Sequence, residues 1–243
     1  MEPNMIIAAV IGLGAALALM YIVLRKYTYP AVEQPFFSDP TFFKLFTLGL
    51  IIGTGVFVGY SWFQEAWSSI IIAICFALIF ELAKLVVLNL KRFHGKSDTL
   101  FYGFGLGVGI GGAFAFGFAF YASSQAIALL PEGMDTVSWI FFAIIAVQTV
   151  LVHSATGMTI GEGVARYRPF EFFLQALIIS IAYQLLMSQI FVGNQSEMLI
   201  YAFLILSFLL SFGYFYHTVY MKLPKTIREV LRMEGKSRKD IPK

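Results

Sequence analysis

The chain has 243 residues, of which 59% are hydrophobic and 13% charged, with a net charge of +3. Soluble domains carry about 25% charged residues, so this composition describes an integral membrane protein with no room for a large soluble domain. The single cysteine, Cys75, sits in an apolar run and excludes both an internal disulfide and a cysteine-rich metal site.

Crossing the hydrocarbon takes about 20 apolar residues. Runs of that kind fall at 5–24, 42–62, 67–90, 99–122, 138–160, 170–192 and 198–221. The expected fold is therefore all-α, a polytopic bundle of seven transmembrane helices. The connectors test this count. Loop one holds Arg25, Lys26 and Lys44, loop three Lys91, Arg92 and Lys96, and loop five Arg166 and Arg168. Loops two, four and six hold only acids: Glu65, then Glu132 and Asp135, then Glu197. Of the 17 Lys and Arg, 16 fall on one side, and the remaining one, Lys84, lies inside a span. One span more or fewer would scramble this alternation. The positive-inside rule places the N-terminus outside and the C-terminus in the cytoplasm of a cell membrane. Met1 to Asn4 carry no base, and Arg25-Lys26 follow the first run. That order is the reverse of a cleavable signal and suits an anchor.

The first span is small residues and leucine, without an ionisable group. Tyr29-Pro30 and Asp39-Pro40 interrupt the segment after it, which cannot be one continuous helix. The second span carries Gly49, Gly53, Gly55 and Gly59, a four-residue spacing that permits close helix contact. Trp62 and Trp67 flank the outer turn, as interfacial aromatics do.

The third span contains Phe80-Glu81-Leu82-Ala83-Lys84. A carboxylate in hydrocarbon is costly and needs a reason. Glu81 and Lys84 share a helix face. Glu81 lies about 13 Å from the cytoplasmic end at 1.5 Å per residue, and Lys84 lies nearer the surface, within reach of it by snorkelling. Two roles are open: a self-neutralising pair, or a carboxylate facing a wet cavity.

Ser97 and Asp98 suit the N-cap of the fourth span. That span runs through Gly103, Gly105, Gly107, Gly109, Gly111, Gly112 and Gly117. A lone strand in lipid leaves its backbone unsatisfied, so the segment must be helical. Gly103, Gly107 and Gly111 then line one face, and Gly105, Gly109 and Ala113 another. Two neighbours can approach closely, which makes this the central helix. The fifth span places His153 about 24 Å from its outer end, a depth similar to that of Glu81. Thr156, Gly157, Thr159, Gly161 and Glu162 follow. The sixth span offers a polar row without an acid, Gln175, Ser180, Tyr183, Gln184, Ser188 and Gln189. The seven-span domain occupies 1–221, and 222–243 forms a basic cytoplasmic tail. Ile227, Val230 and Leu231 give the tail one apolar stripe, fit to lie on an anionic membrane surface.

Three segments resemble the PrsW-like intramembrane proteases. The family's Glu-Glu-x-x-Lys is matched by Glu81 and Lys84, with Phe80 at the first Glu. Its Asp and following Tyr-Gly are matched by Asp98, Tyr102 and Gly103, and its glycine run by Gly107 and Gly109. Phe114-Ala115 fall where the family has Glu-Asn. Its His with spaced glycines is matched by His153, Gly157 and Gly161. The resemblance covers about 75–165, in order.

It implies a membrane-embedded hydrolase acting on a transmembrane peptide or protein. Glu81 would be the general base, and His153 a metal ligand or oxyanion stabiliser. Lys84 and Asp98 would support them, and a divalent metal such as zinc would be held by Glu81 and His153. The replaced acids motivate a different reading, a non-catalytic relative that binds a lipid or membrane segment or scaffolds a membrane complex. A small ion-coupled transporter with Glu81 as the cation site is a third. Membrane lipids are the expected surroundings, oligomers could form through the glycine-rich helices, and nothing points to nucleic acid.

Overall fold

The computed structural model describes residues 3–129, 134–193 and 195–242. Among them there is no strand, and seven helices are long and apolar enough to span a membrane. They are α1 (Asn4–Leu24), α2 (Asp39–Ser61), α3 (Ile70–Leu88), α4 (Thr99–Leu129), α5 (Thr136–Ala165), α6 (Pro169–Gln189) and α7 (Glu197–Tyr216). Each coincides with one expected span. Glu132, one of the two acids assigned to loop four, lies outside the described residues, as does Lys243 of the tail.

Local sequence sets the helix starts. Pro40 and Pro169 stand in the first turns of α2 and α6, where a missing N–H costs nothing. Asp135 caps α5 by accepting the Ser138 N–H at 2.9 Å. The expected side-chain cap on α4 is not formed by Asp98. Its backbone carbonyl accepts from Phe101 and Tyr102, while its carboxylate takes the Tyr102 hydroxyl one turn on, at 3.1 Å.

The glycine-rich helix α4 is the axis of the bundle. A Cβ added at Gly103 or Gly107 would collide with the backbone carbonyls of Gly157 or His153 on α5. One added at Gly111 would stand 2.9 Å from the Val150 Cα. The second face meets α2: Gly109 lies against the Phe46 carbonyl, and Gly49 of α2 lies against the Leu106 carbonyl. Both faces read from the sequence are therefore occupied, each by its own neighbour. Of the four α2 glycines only Gly49 and Gly53 are used this way, since nothing lies within 4 Å of a Cβ at Gly55 or Gly59.

The basic connectors meet at one end of the bundle. The Ser97 N–H donates to Glu234 at 2.6 Å, Arg238 donates to the Gln34 carbonyl at 2.6 Å, and the Glu33 N–H donates to Asp240 at 3.2 Å. Loop one, the α3–α4 connector and the tail thus form one layer. The tail differs from its expectation. The last span continues through a π-helical turn, His217–Lys222, into α8 (Leu223–Met233). The stripe of Ile227, Val230 and Leu231 is buried in the protein instead of lying on lipid. The apolar face closes the basic end of the bundle, while Lys225, Arg228 and Arg232 point away from it.

Candidate functional site

Helix α3 presents Glu81 and Lys84 inward, one turn apart, and α5 presents His153 and Thr156 toward them. All four are buried. The Lys84 ammonium donates to Glu81 Oε1 at 2.7 Å and to Thr156 Oγ1 at 2.7 Å, and lies 3.1 Å from His153 Nδ1. An ammonium has three donors and no acceptor. Nδ1 must therefore accept, which leaves the imidazole proton on Nε2. Lys84 does not snorkel, because three acceptors hold it inside. Glu81 and His153 converge as expected from their depths, but on the ammonium between them.

One side of the site is aromatic. The Phe80 ring lies 4.3 Å from the His153 ring and 5.2 Å from the Phe114 ring, centroid to centroid. Glu81 Oε2 and His153 Nε2, both buried, have no hydrogen-bond partner among the described residues. A cavity of about 20 Å³ lies beyond Phe114, lined by Tyr60, Thr149, Tyr183 and Gln184 among others. That is room for about one water. Phe114 lines it, whereas Glu81, Lys84 and His153 do not.

The donor set does not fit zinc. A catalytic zinc takes three protein ligands plus water at about 2.0–2.3 Å. Among the described residues no three His, Cys, Asp or Glu side chains are grouped to hold a metal. Here one carboxylate and one imidazole face each other across a cation that already holds both. Cys75 is exposed and adds nothing.

Asp98 is not part of this cluster. It stands at the start of α4, two and a half turns before Gly107, which packs on His153, or about 13 Å along the axis. It lines a cleft of about 710 Å³ at the basic end with His94, Lys96, Glu234, Lys236 and Arg238. Burial raises its carboxyl above the ordinary value, against the lowering pull of the Tyr102 hydroxyl and Lys96. Among known proteins the chain matches no family model, no curated protein and no solved structure.

Two features of α5 carry more than their sequence suggested. Thr149, His153, Thr156, Thr159 and Glu162 recur every three or four residues and are all buried. Thr149 bonds the Tyr183 hydroxyl at 2.8 Å and Thr159 the Tyr214 hydroxyl at 2.7 Å. The spacing is the available signal, a polar stripe along one face of a mostly apolar helix. Glu162 ends it, accepting from Arg166 at 2.9 Å and Lys222 at 2.8 Å, and from Thr226 at 3.3 Å. Arg166 also pairs with Glu229 at 2.6 Å. Glu162 thereby fastens α8 to α5. Glu162→Gln is expected to loosen that hold, seen as faster tryptic cleavage after Lys225, Arg228 and Arg232. Unchanged cleavage would show that apolar burial alone holds α8.

Proposed function

We propose that this chain is a non-hydrolytic member of the PrsW-like group, a membrane-embedded scaffold that binds a lipid or a membrane segment. The observation carrying this reading is the Lys84 ammonium between Glu81 and His153. A general base needs a free lone pair within hydrogen-bond reach of the attacking water. Glu81 Oε1 and His153 Nδ1 are held by Lys84, and the free Glu81 Oε2 is buried and does not line the neighbouring water-sized cavity. Phe80 beside His153, and Phe114 beside Phe80, stand at the acid positions of the resemblance. The ion-coupled carrier gains less from this geometry, because the charge of Glu81 is already balanced within the chain.

The test is metal content and peptide cleavage by the purified protein in lipid nanodiscs. Well under one equivalent of zinc should survive dialysis, and cleavage of a transmembrane peptide should equal that of Glu81→Gln. One retained equivalent, lost in His153→Ala and accompanied by Glu81-dependent cleavage, would restore the hydrolase.

A further inference from the structure

We infer that Glu81, Thr156 and His153 form a cation site shaped for a primary ammonium, and that Lys84 is its tethered occupant. This rests on the scaffold reading only in giving Lys84 a bound instead of a catalytic role. Three acceptors of three kinds, a carboxylate oxygen, a hydroxyl oxygen and an imidazole nitrogen, converge on one nitrogen at 2.7, 2.7 and 3.1 Å. The number matches the three N–H groups of an alkylammonium.

Two of the three acceptors, Thr156 and His153, are placed by something other than Lys84. The Thr156 hydroxyl donates its own proton to the Val152 carbonyl at 3.0 Å, which leaves its lone pairs for the site. The His153 ring is flanked by Phe80 at 4.3 Å between centroids. The His153 backbone is pressed against Gly107 of α4, with no room for a side chain there. Glu81 comes from α3, while Thr156 and His153 come from α5, so the site is set by helix packing.

The chemistry selects among cations. Acceptors at 2.7–3.1 Å from the bound nitrogen are at hydrogen-bond range, beyond the about 2.0–2.3 Å of zinc ligands. A quaternary ammonium has no N–H to give and is recognised by aromatic faces instead. One carboxylate balances one positive charge. The preferred guest is thus a monovalent primary ammonium on a short alkyl stem. Cutting Lys84 back to Ala removes three methylene carbons and the nitrogen, the outline of n-propylammonium.

The experiment uses the full chain in nanodiscs and reads the thermal midpoint. Lys84→Ala should melt lower than wild type, and n-propylammonium should restore more than half of the loss along a saturable curve. Methylammonium should restore less. Tetramethylammonium and 1-propanol should restore nothing, and the wild type should not respond. Lys84→Met, which fills the volume but supplies no N–H, should also gain nothing. Adding Thr156→Val to Lys84→Ala should raise the half-effective amine concentration about tenfold or more, the worth of one hydrogen bond to a charged group. If Lys84→Ala yields no folded protein alone, the same comparison is read as monodisperse protein recovered from cells grown with and without the amine. The inference is overturned if no amine restores Lys84→Ala by either readout, or if 1-propanol, tetramethylammonium or the Lys84→Met background does equally well. Cleavage is not read here, so failure of this site leaves the question of hydrolysis to zinc content and peptide cleavage.

Discussion

Glu81→Gln is expected to lower the stability of the bundle by about 3–5 kcal/mol, the cost of removing one partner from a buried ion pair. The side chains of Glu81 and Lys84 are both fully buried, and their charged atoms lie 2.7 Å apart. Gln keeps an oxygen for the ammonium but takes away the countercharge. The positive charge is then left among Phe80, Thr156 and His153, with lipid outside. Adding Lys84→Met should return most of the loss, since exchanging a whole buried pair for apolar volume is often neutral or stabilising. The comparison is a double-mutant cycle on unfolding midpoints in a denaturing detergent titration. A Glu81→Gln protein as stable as the wild type would mean that Lys84 is not held there as an ammonium, and the cation site would fall with the ion pair.

How much of this was legible in the sequence depends on which direction the information ran. Features along a single helix were readable. The seven apolar runs and the two glycine faces of α4 follow from spacing within one element, the alternation of basic connectors follows from loop composition along the chain, and each has its counterpart in the structure. Depth was readable too, because 1.5 Å per residue puts Glu81 and His153 at comparable levels. The environment of Lys84 was not. Reckoned along α3 alone, it lies close enough to the surface to snorkel. Its partners Thr156 and His153 are 72 and 69 positions away on α5, and nothing in the local sequence announces them. Asp98 misled for the same reason. Its place before a helix suggested capping, and the resemblance suggested a catalytic helper, yet its carboxylate turns to Tyr102 at the basic end. The tail departs from expectation because an amphipathic stripe does not say what it will cover. Ile227 and Val230 would suit lipid, but the bundle offers a buried alternative and Glu162 fastens it.

The second large effect belongs to the close approach of α4 and α5. Gly107→Ala is expected to destabilise the protein by more than about 3 kcal/mol, beyond the usual overpacking range of about 1–3 kcal/mol. A side chain can rotate away from an intruding methyl, but the atom facing Gly107 is the His153 carbonyl oxygen, fixed in the α5 hydrogen-bond ladder. The only relief is to part the helices. Gly103 faces the Gly157 carbonyl and Gly111 the Val150 Cα on the same seam, so parting at one glycine loosens contact at the others. It also draws His153 and Thr156 back from Lys84, so Gly107→Ala should weaken the ion-pair site without touching any of its residues. Combined with Glu81→Gln it should then cost less than the sum of the two changes. Gly55→Ala and Gly59→Ala, on the neighbouring helix α2, are the internal comparison. Nothing lies within 4 Å of either new methyl, and replacing an interior helical Gly with Ala gains about 0.5–1 kcal/mol. Equal midpoints for Gly107→Ala and Gly55→Ala would mean that α4 and α5 stand further apart than their backbones do here, and the meeting of Glu81, Lys84 and His153 would lose the packing that enforces it.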